Sequence, residues 1–373
     1  VNLTIYTLNL MISSKALFNF FKNKKIEFFV GVPDSLQKNL ESNLNKIGKN
    51  HIIASNEGSA IAIASGYFLS SNKIPVVYMQ NSGLGNAINP LTSIASNHVY
   101  NTPLILMIGW RGNPKINDEP QHKFMGKITN NLLDLLKIKH CNLNKKQDLQ
   151  KFSKLIDLSK KNNEIIAVTI NKKTFKPPLK KKKNIKYKNL RINFIKEILT
   201  CSNKNFRFFT STGYLSREFD YINKNFYKNK FKCLYNVGGM GHTSSLSLGF
   251  SLNSKNKVFC LDGDGSLIMH MGSLVTISSY KKNFKYILFN NGTHESVGAQ
   301  KTNSKIIDFK KYSKSIGFEK YYSSKSTRNF KKKFFEFIND KKKSFFEIKF
   351  KPGSINNLSR PENFKFIGRN MCG

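Results

Sequence analysis

The sequence contains few of the features that build disulfide frameworks, zinc sites or membrane spans. Only five cysteines occur in 373 residues, and no two of them form a Cys-x-x-Cys pair. This distribution favours a reducing compartment, so we expect a cytoplasmic protein. No apolar run approaches the roughly 20 residues of a membrane span. The first ten residues lack the basic start and cleavage site of a signal peptide, and we interpret them as a tail or a misassigned start before Met11.

Acidic residues are also scarce. Lys and Arg number 62 against 22 Asp and Glu, which gives a formal net charge of +40. Such a charge indicates either a nucleic-acid or membrane partner, or compositional drift in a chain rich in Lys, Asn, Ile and Phe. The lysines are spread along the chain and no nucleic-acid-binding motif accompanies them, which favours drift. We therefore expect neither a nucleic-acid partner nor a membrane, although a basic surface attracts anionic substrates.

Strands and helices alternate along most of the chain. Apolar stretches of strand length are followed by segments of helical length, which is typical of a parallel sheet covered by helices on both faces. The alternation occurs before and after a stretch at 171–190 that contains Pro-Pro and a run of four lysines, which we interpret as a linker. A solvated loop within one domain is the alternative interpretation. We predict two doubly wound α/β domains, at 11–170 and 191–373.

The predicted elements follow from these apolar and amphipathic stretches. In the first domain we expect strands at 27–30, 51–54, 74–79 and 104–108, helices at 16–21, 59–70 and 87–95, and a polar loop at 118–122. Ser35 is the candidate N-cap of a further helix that ends at Leu44. In the second domain we expect strands at 206–210, 232–236, 258–262, 286–290 and 345–350, and helices at 244–250 and 267–280.

One strand–helix–strand unit in the second domain carries polar residues at both strand ends. A crossover helix joins parallel strands, so the strands at 258–262 and 286–290 end at the same edge of the sheet. Asp264 follows the first strand and Asn291 the second. Carboxylate, amide and carbonyl oxygens suit a Mg²⁺ ion that also binds water and phosphate. Gly263 and Gly265 allow close approach of a phosphate, to which Ser266 could donate.

Gly-Asp-Gly at 263–265 and Asn-Asn at 290–291, at this spacing, resemble the signature of the thiamine diphosphate enzymes. The alternative is a glycine turn and an Asn-Gly turn in an ordinary α/β domain, but the spacing and the strand before each motif favour the cofactor site. The resemblance implies that Asp264, Asn291 and the Thr293 carbonyl bind the metal. It also implies two domains of the thiamine diphosphate-binding fold, one for the pyrimidine and one for the diphosphate and magnesium.

Further residues match the cofactor site of that family. Glu57 follows the second predicted strand, where the family places the carboxyl group that hydrogen-bonds the pyrimidine; alternatively it only stabilises the start of a helix. In Gly238-Gly-Met-Gly, the resemblance makes Met240 the wedge between the two cofactor rings and the Gly238 carbonyl an acceptor. A core methionine is the alternative. Thr212 and Gly213 could donate to the diphosphate or could cap a helix.

A narrower resemblance involves motifs throughout the chain. Gly31-Val-Pro-Asp-Ser, Asn56-Glu-Gly, Ile108-Gly-Trp-Arg-Gly, Asp118-Glu-Pro-Gln-His and Asn290-Asn-Gly-Thr-His-Glu-Ser-Val-Gly are similar to the phosphonopyruvate decarboxylase family, which lacks a middle domain. The resemblance implies decarboxylation of 3-phosphonopyruvate to phosphonoacetaldehyde and carbon dioxide through the thiamine diphosphate ylide, in phosphonate biosynthesis. Sulfopyruvate or another acidic 2-keto acid is the alternative substrate. An inactive, basic, nucleic-acid-associated protein is a third hypothesis.

The resemblance also suggests proton carriers, substrate contacts and an oligomeric state. Asp34, His122 and His294 are the candidate proton carriers, although they could instead be a helix cap, a surface loop residue and a turn residue. Arg111 and Ser35 are the candidate substrate contacts, and a solvated arginine is the alternative for Arg111. Because the two domains that share one cofactor usually belong to different subunits in this family, we expect a homo-oligomer with the site at the subunit interface.

Overall fold

A computed structural model describes residues 11–44, 47–176, 189–280, 284–355 and 357–371. The chain divides into two compact units, Val1–Lys181 and Lys182–Gly373. Residues 177–188 of the predicted linker lie outside the described residues, whereas Phe175 at its start is buried and forms a β-bridge with Ile12. In the described part of the chain, no helix is both long and apolar enough to cross a membrane.

The first unit contains a six-stranded sheet in which all the strands are parallel. The strands are β1 Phe29–Gly31, β2 His51–Ile53, β3 Val76–Gln80, β4 Ile105–Gly109, β5 Lys139–Leu143 and β6 Ile166–Ile170. Their order in the sheet is β2-β1-β3-β4-β6-β5. Every residue of β4 and β6 is buried, as expected for strands covered on both faces.

Helices cover this sheet through two apolar clusters. The helix after β2 begins where the Asn56 side chain accepts the Ser59 backbone N–H at 2.9 Å, as an N-cap does. Its small buried residues Ala60 and Ala64 allow close packing. The helices are α1 Ser14–Asn23, α2 Lys38–Leu44, α3 Glu57–Ser71, α4 Leu84–Thr92, α5 Pro120–Leu135 and α6 Asp148–Asn162.

The second unit repeats this arrangement. Its strands are β7 Arg207–Thr210, β8 Lys232–Tyr235, β9 Val258–Gly263, β10 Phe284–Asn290, β13 Lys320–Ser324 and β14 Ser344–Lys349. They are all parallel, in the order β13-β14-β10-β9-β7-β8. Counted within each unit, both sheets have the order second, first, third, fourth, sixth, fifth. The prediction of two doubly wound parallel sheets without a middle domain is therefore confirmed for the described residues.

Helices on both faces and one small hairpin complete the second unit. The hairpin pairs β11 Thr293–His294 with β12 Gln300–Lys301. The helices are α7 Arg191–Thr200, α8 Tyr214–Tyr227, α9 Thr243–Ser251, α10 Asp264–Met269, α11 Ser273–Ser279, α12 Phe309–Ser315, α13 Phe330–Asn339 and α14 Phe364–Arg369.

Three predictions of local structure are wrong. The single helix at 267–280 is two short helices, α10 and α11, because His270 leaves helical geometry with φ of −141°. Ser35 does not cap a helix: α2 begins only at Lys38, and the Asp34 carboxylate accepts the Leu36 N–H at 3.2 Å in the preceding turn. The predicted polar loop at 118–122 already contains the start of α5, with Pro120 at its first position, where the fixed φ of proline suits a helix.

Candidate active site

The carboxyl edge of the second sheet carries the predicted metal ligands. Asp264 is the first residue of α10, directly after β9, and Asn291 directly follows β10, which pairs with β9. Asp264 is 2% exposed. Burial raises the pKa of its carboxyl group, and hydrogen bonds from the Thr302 and Ser304 hydroxyls and the Asn291 backbone N–H oppose this rise. The structure therefore brings Asp264 and Asn291 together.

The Asn291 side chain fixes the turn after β10. Its Oδ1 accepts the backbone N–H of Thr293 at 3.0 Å, which forms an Asx turn across Gly292, whose φ of +70° favours glycine. Its Nδ2 donates to Oε2 of Glu295 at 2.9 Å. Thr293, the third predicted metal ligand, therefore lies in the same turn as Asn291.

The chemistry of these groups fits a magnesium ion. Asp264 forms no ion pair with a basic side chain in the described residues, so a bound cation would compensate its buried charge. The buried Thr293 hydroxyl has no hydrogen-bond partner among the same residues. Within the described ranges, no three His, Cys, Asp or Glu side chains cluster to hold a metal. One carboxylate, one amide oxygen and one carbonyl, completed by water and phosphate, suit Mg²⁺.

The loop from β9 into α10 is packed closely around glycine. A Cβ on Gly265 would lie 2.7 Å from Cε1 of His294, so this position has no room for a side chain. Burial lowers the pKa of His294 to about 4, which makes its imidazole neutral at pH 7. The Ser266 hydroxyl accepts the Gly241 N–H at 3.0 Å and connects α10 to the glycine turn at 238–241. Gly263, the last residue of β9, donates its N–H to the Ser211 hydroxyl at 3.1 Å.

Two other glycine-containing turns follow neighbouring strands at this edge. Gly238 has a φ of +78°, and Met240 in the same turn is half-buried rather than part of the core. Gly213 has a φ of +95° and precedes α8, so Thr212-Gly213 lies directly before a helix start. A Cβ on Gly213 would lie 3.1 Å from Oγ of Ser296, which places this turn next to the segment that follows His294.

In the first unit, the predicted catalytic carboxylate lies at the start of a helix. Glu57 is the first residue of α3, after β2, and is 5% exposed. Its Oε2 accepts a hydrogen bond from Nδ2 of Asn86 at 2.9 Å. Gly83 packs directly against it, since a Cβ there would lie 2.4 Å from Oε1. The carboxyl group is therefore held in one orientation by a neighbouring amide and a neighbouring backbone.

Asp34, Ser35 and Arg111 also lie together in the first unit. The Arg111 guanidinium donates from Nε and Nη2 to the two oxygens of Asp118, at 2.7 and 2.5 Å, and from Nη1 to the Ser35 hydroxyl at 3.1 Å. Arg111 is thus a buried, paired residue rather than a solvated one. Asp34 is 1% exposed, and burial raises the pKa of its carboxyl group to about 6 although the Arg111 charge opposes this.

Sequence reasoning missed the role of Asp118. It belongs to the quoted Asp-Glu-Pro-Gln-His motif, but nothing in that motif indicates that it pairs with Arg111. Burial acts to raise the pKa of Asp118, but hydrogen bonds from Arg111 and from the backbone N–H groups of Gly112 and Glu119 hold it well below its ordinary value. His122, predicted in the same loop, is buried in the first turn of α5, so the surface-residue interpretation is wrong.

Comparison with known protein families gives a match in each unit. Residues 11–134 match the family described as "Thiamine pyrophosphate enzyme, N-terminal TPP binding domain". Residues 212–348 match "Thiamine pyrophosphate enzyme, C-terminal TPP binding domain". Thiamine diphosphate is therefore the cofactor of this chain, and decarboxylases that use it normally use Mg²⁺ as well.

Individual relatives narrow the assignment. The chain is 27% identical over 331 residues to phosphonopyruvate decarboxylase from Streptomyces viridochromogenes, covering 84% of this chain and 81% of that protein. It is 32% identical over 154 residues to sulfopyruvate decarboxylase subunit beta from Methanocaldococcus jannaschii, covering 41% and 79%. It is 35% identical over 132 residues to subunit alpha from the same organism, covering 34% and 74%. The resemblance seen in the motifs is confirmed, and the chain belongs to the thiamine pyrophosphate enzymes as a thiamine diphosphate-dependent decarboxylase.

Proposed function

We propose that this protein decarboxylates 3-phosphonopyruvate to phosphonoacetaldehyde and carbon dioxide, as a step of phosphonate biosynthesis. Similarity to phosphonopyruvate decarboxylases extends over 84% of the chain. The proposal rests on the group formed by buried Arg111, buried Asp34 and half-buried Ser35, which offers a cation, a titrating carboxyl group and a hydroxyl for an acidic 2-keto acid.

Thiamine diphosphate, when bound, supplies the carbon nucleophile and the electron sink for loss of carbon dioxide. Glu57 is the residue that would hydrogen-bond the pyrimidine ring and hold the proton that this ring exchanges. Asn86 donates to Oε2 of Glu57, and this hydrogen bond orients the carboxyl group. The burial of Glu57 keeps water from competing for the same proton.

The second unit holds the diphosphate and its metal in this proposal. Asp264, Asn291 and the Thr293 carbonyl bind Mg²⁺. The diphosphate contacts the backbone or hydroxyl groups of Thr212, Gly213, Gly263, Gly265 and Ser266. In the glycine turn, Met240 is the residue that would separate the two rings, and the Gly238 carbonyl would accept a hydrogen bond from the pyrimidine.

The first unit also binds the substrate and supplies its proton. Three of the five N–H groups of the Arg111 guanidinium contact Asp118 and Ser35, and the Arg111 charge attracts the anionic groups of the substrate. The pKa of Asp34, about 6, is close enough to pH 7 for this carboxyl group to take up and release a proton during turnover. His122 and His294 are further candidates for this transfer.

Sulfopyruvate is the second candidate substrate. The sequence identity to the two sulfopyruvate decarboxylase subunits, 32% and 35%, exceeds the 27% identity to the phosphonate enzyme, although each subunit matches less than half of the chain. A phosphonate and a sulfonate differ mainly in charge and in one proton, and Arg111 would bind either. We also propose a homo-oligomer in which subunits share the site.

The test is carbon dioxide release by the purified protein with thiamine diphosphate and Mg²⁺. Phosphonopyruvate, sulfopyruvate and pyruvate are offered separately, and Glu57→Gln is compared with Glu27→Gln, which changes a half-exposed glutamate of the same unit. Preference for phosphonopyruvate, lost in Glu57→Gln and retained in Glu27→Gln, supports the proposal. Preference for sulfopyruvate would instead support sulfopyruvate as the substrate of the enzyme. Equal activity of Glu57→Gln and wild type contradicts the assigned catalytic carboxylate.

A further inference from the structure

Three ionisable side chains form a group next to Asn291. Arg191, the first residue of α7, donates from Nη2 to Oε2 of Glu295, and its Nε lies 3.7 Å from Oε2 of Glu218. The side chains of Arg191 and Glu218 are almost fully enclosed, and that of Glu295 is 14% exposed. Such a group is costly to bury unless each charge is compensated. Its only described connection to the proposed metal ligands is through Glu295.

Glu295 determines which way the Asn291 amide faces. Oε2 of Glu295 accepts a hydrogen bond from Nδ2 of Asn291 at 2.9 Å and another from the Arg191 guanidinium. The NH₂ side of the amide therefore faces Glu295, and Oδ1 is directed elsewhere, to where the Thr293 N–H reaches it at 3.0 Å. The oxygen is the atom that a Mg²⁺ ion requires. A rotated amide would present NH₂ to the metal and could not bind it.

Arg191 fixes the position of the Glu295 carboxyl group. Both Arg191 and Asn291 donate to the same oxygen, Oε2, so the guanidinium and the amide are directly connected through one atom. The Arg191 guanidinium carbon lies 5.8 Å from the ring centre of Tyr214 and 5.5 Å from that of Phe350, and these rings restrict its position.

Glu218 does not replace Glu295 as the main counter-ion. Burial raises the pKa of Glu218 to about 7, against the opposing charge of Arg191. At neutral pH it carries only part of a negative charge, and its nearest oxygen is 3.7 Å from Arg191. The strong contact of the guanidinium is therefore with Glu295.

We propose that Arg191 and Glu295 are positioning residues for the metal site: together they hold the Asn291 amide with its oxygen toward Mg²⁺. Neither residue contacts the metal, and both act through Asn291. This inference rests on the metal site proposed above. The competing explanation is that the pair only stabilises the fold by connecting α7 to the turn after β10.

The test measures Mg²⁺ binding by calorimetry, with thiamine diphosphate present, in the full-length protein. Glu295→Gln removes the charge that fixes the amide, and Arg191→Lys keeps a positive charge but loses the planar fork. Mutating residues that hydrogen-bond to metal ligands typically weakens metal binding by about 10–100-fold. We therefore expect the Kd for Mg²⁺ to rise by about that factor in both variants. Glu197→Gln, in the same helix as Arg191, is the control and should bind Mg²⁺ like wild type.

Two further measurements separate positioning from structural support. The melting temperature of the cofactor-free protein reports stability, and kcat at saturating Mg²⁺ should return most of the way to the wild-type value if only positioning is lost. Lower melting temperatures with a Kd for Mg²⁺ within twofold of wild type would overturn the inference and leave the metal site intact. Absence of Mg²⁺ binding by wild type would overturn the metal site and the inference with it. If Glu295→Gln does not fold, Arg191→Lys decides by the same criteria.

Discussion

Replacing Gly83 by alanine should displace the proposed catalytic carboxylate without unfolding the protein. Gly83 precedes α4 with φ of −78° and ψ of −10°, which alanine adopts without strain. A Cβ at this position would lie 2.4 Å from both Cγ and Oε1 of Glu57 and 2.5 Å from Cδ. All three close contacts are with one side chain, and a side chain can rotate where a backbone could not. The expected response is therefore a movement of Glu57.

The size of that movement follows from the same distances. An ordinary van der Waals separation begins at 3.4 Å, so the 2.4 Å contacts require a displacement of about 1 Å. A misplacement of 1 Å in a catalytic group can lower the rate by about 10²-fold. The hydrogen bond from Asn86 to Oε2 of Glu57, now 2.9 Å, would be stretched by the same displacement. We expect kcat/KM to fall about 100-fold in Gly83→Ala.

The assay is carbon dioxide release at saturating thiamine diphosphate and Mg²⁺, together with thermal unfolding. The matched control is Gly66→Ala, in the helix that Glu57 begins, because a Cβ on Gly66 meets no atom within 4 Å. Alanine in an exposed helix interior stabilises by about 1 kcal/mol relative to glycine, so the control should keep its activity and unfold at an equal or higher temperature.

A Gly83→Ala enzyme with wild-type kcat/KM would refute this reasoning, since it would mean that the position of Glu57 does not limit the reaction. A large loss of thermal stability would also contradict the prediction, because it would show that the backbone moves to relieve the contact and that Glu57 does not.

Three further predictions concern buried carboxyl groups. Asp118→Asn should lower the free energy of unfolding by about 3–5 kcal/mol, because it breaks a largely buried ion pair with Arg111. Folding lowers the pKa of Asp118, so the extra stability of the wild type is present above about pH 4 and is lost as the pH falls. Urea unfolding of both proteins at pH 7 and pH 3 will measure this difference. Asp34→Asn should abolish an ionisation near pH 6 in the kcat/KM profile and lower the rate by about 10²–10⁴-fold; an unchanged profile would exclude Asp34 as the proton carrier. Tyr286→Phe removes a 3.0 Å hydrogen bond to buried Asp262 and should lower the free energy of unfolding by about 1–3 kcal/mol, as measured by calorimetry. An unchanged melting temperature would show that this hydrogen bond does not stabilise the fold.

The central strands and the proximity of Asp264 and Asn291 could be predicted from the sequence for a common reason. β9 and β10 are apolar because both faces of the sheet are covered, and a parallel crossover requires their ends to meet at one edge. The proximity of Asp264 and Asn291 follows from that topology. The edge strands β5 and β13 were not predicted, because their exposed positions carry polar residues and no continuous apolar run marks them. β6 does carry a continuous apolar run, so it could have been predicted in the same way as β9 and β10, although it was not.

The pairs that support the site were beyond sequence reasoning. Arg191 and Glu295 are 104 residues apart, and no local pattern relates them. Their contact depends on how α7 packs against the turn after β10. Asp118 is only 7 residues from Arg111, yet the loop conformation that joins them also depends on backbone hydrogen bonds, which residue types do not specify. Side-chain pairs that depend on loop conformation could therefore not be predicted from this sequence.

The repeated strand order bears on the history of the gene. Among the described residues, each unit has its own sheet and apolar clusters made from its own residues. A gene for such a protein can therefore be divided between the two units, or two genes can be joined there, and each half keeps the apolar clusters described for it. The similar proteins include both arrangements: a single-chain decarboxylase that matches 84% of this chain, and separate beta and alpha subunits that match 41% and 34% of it.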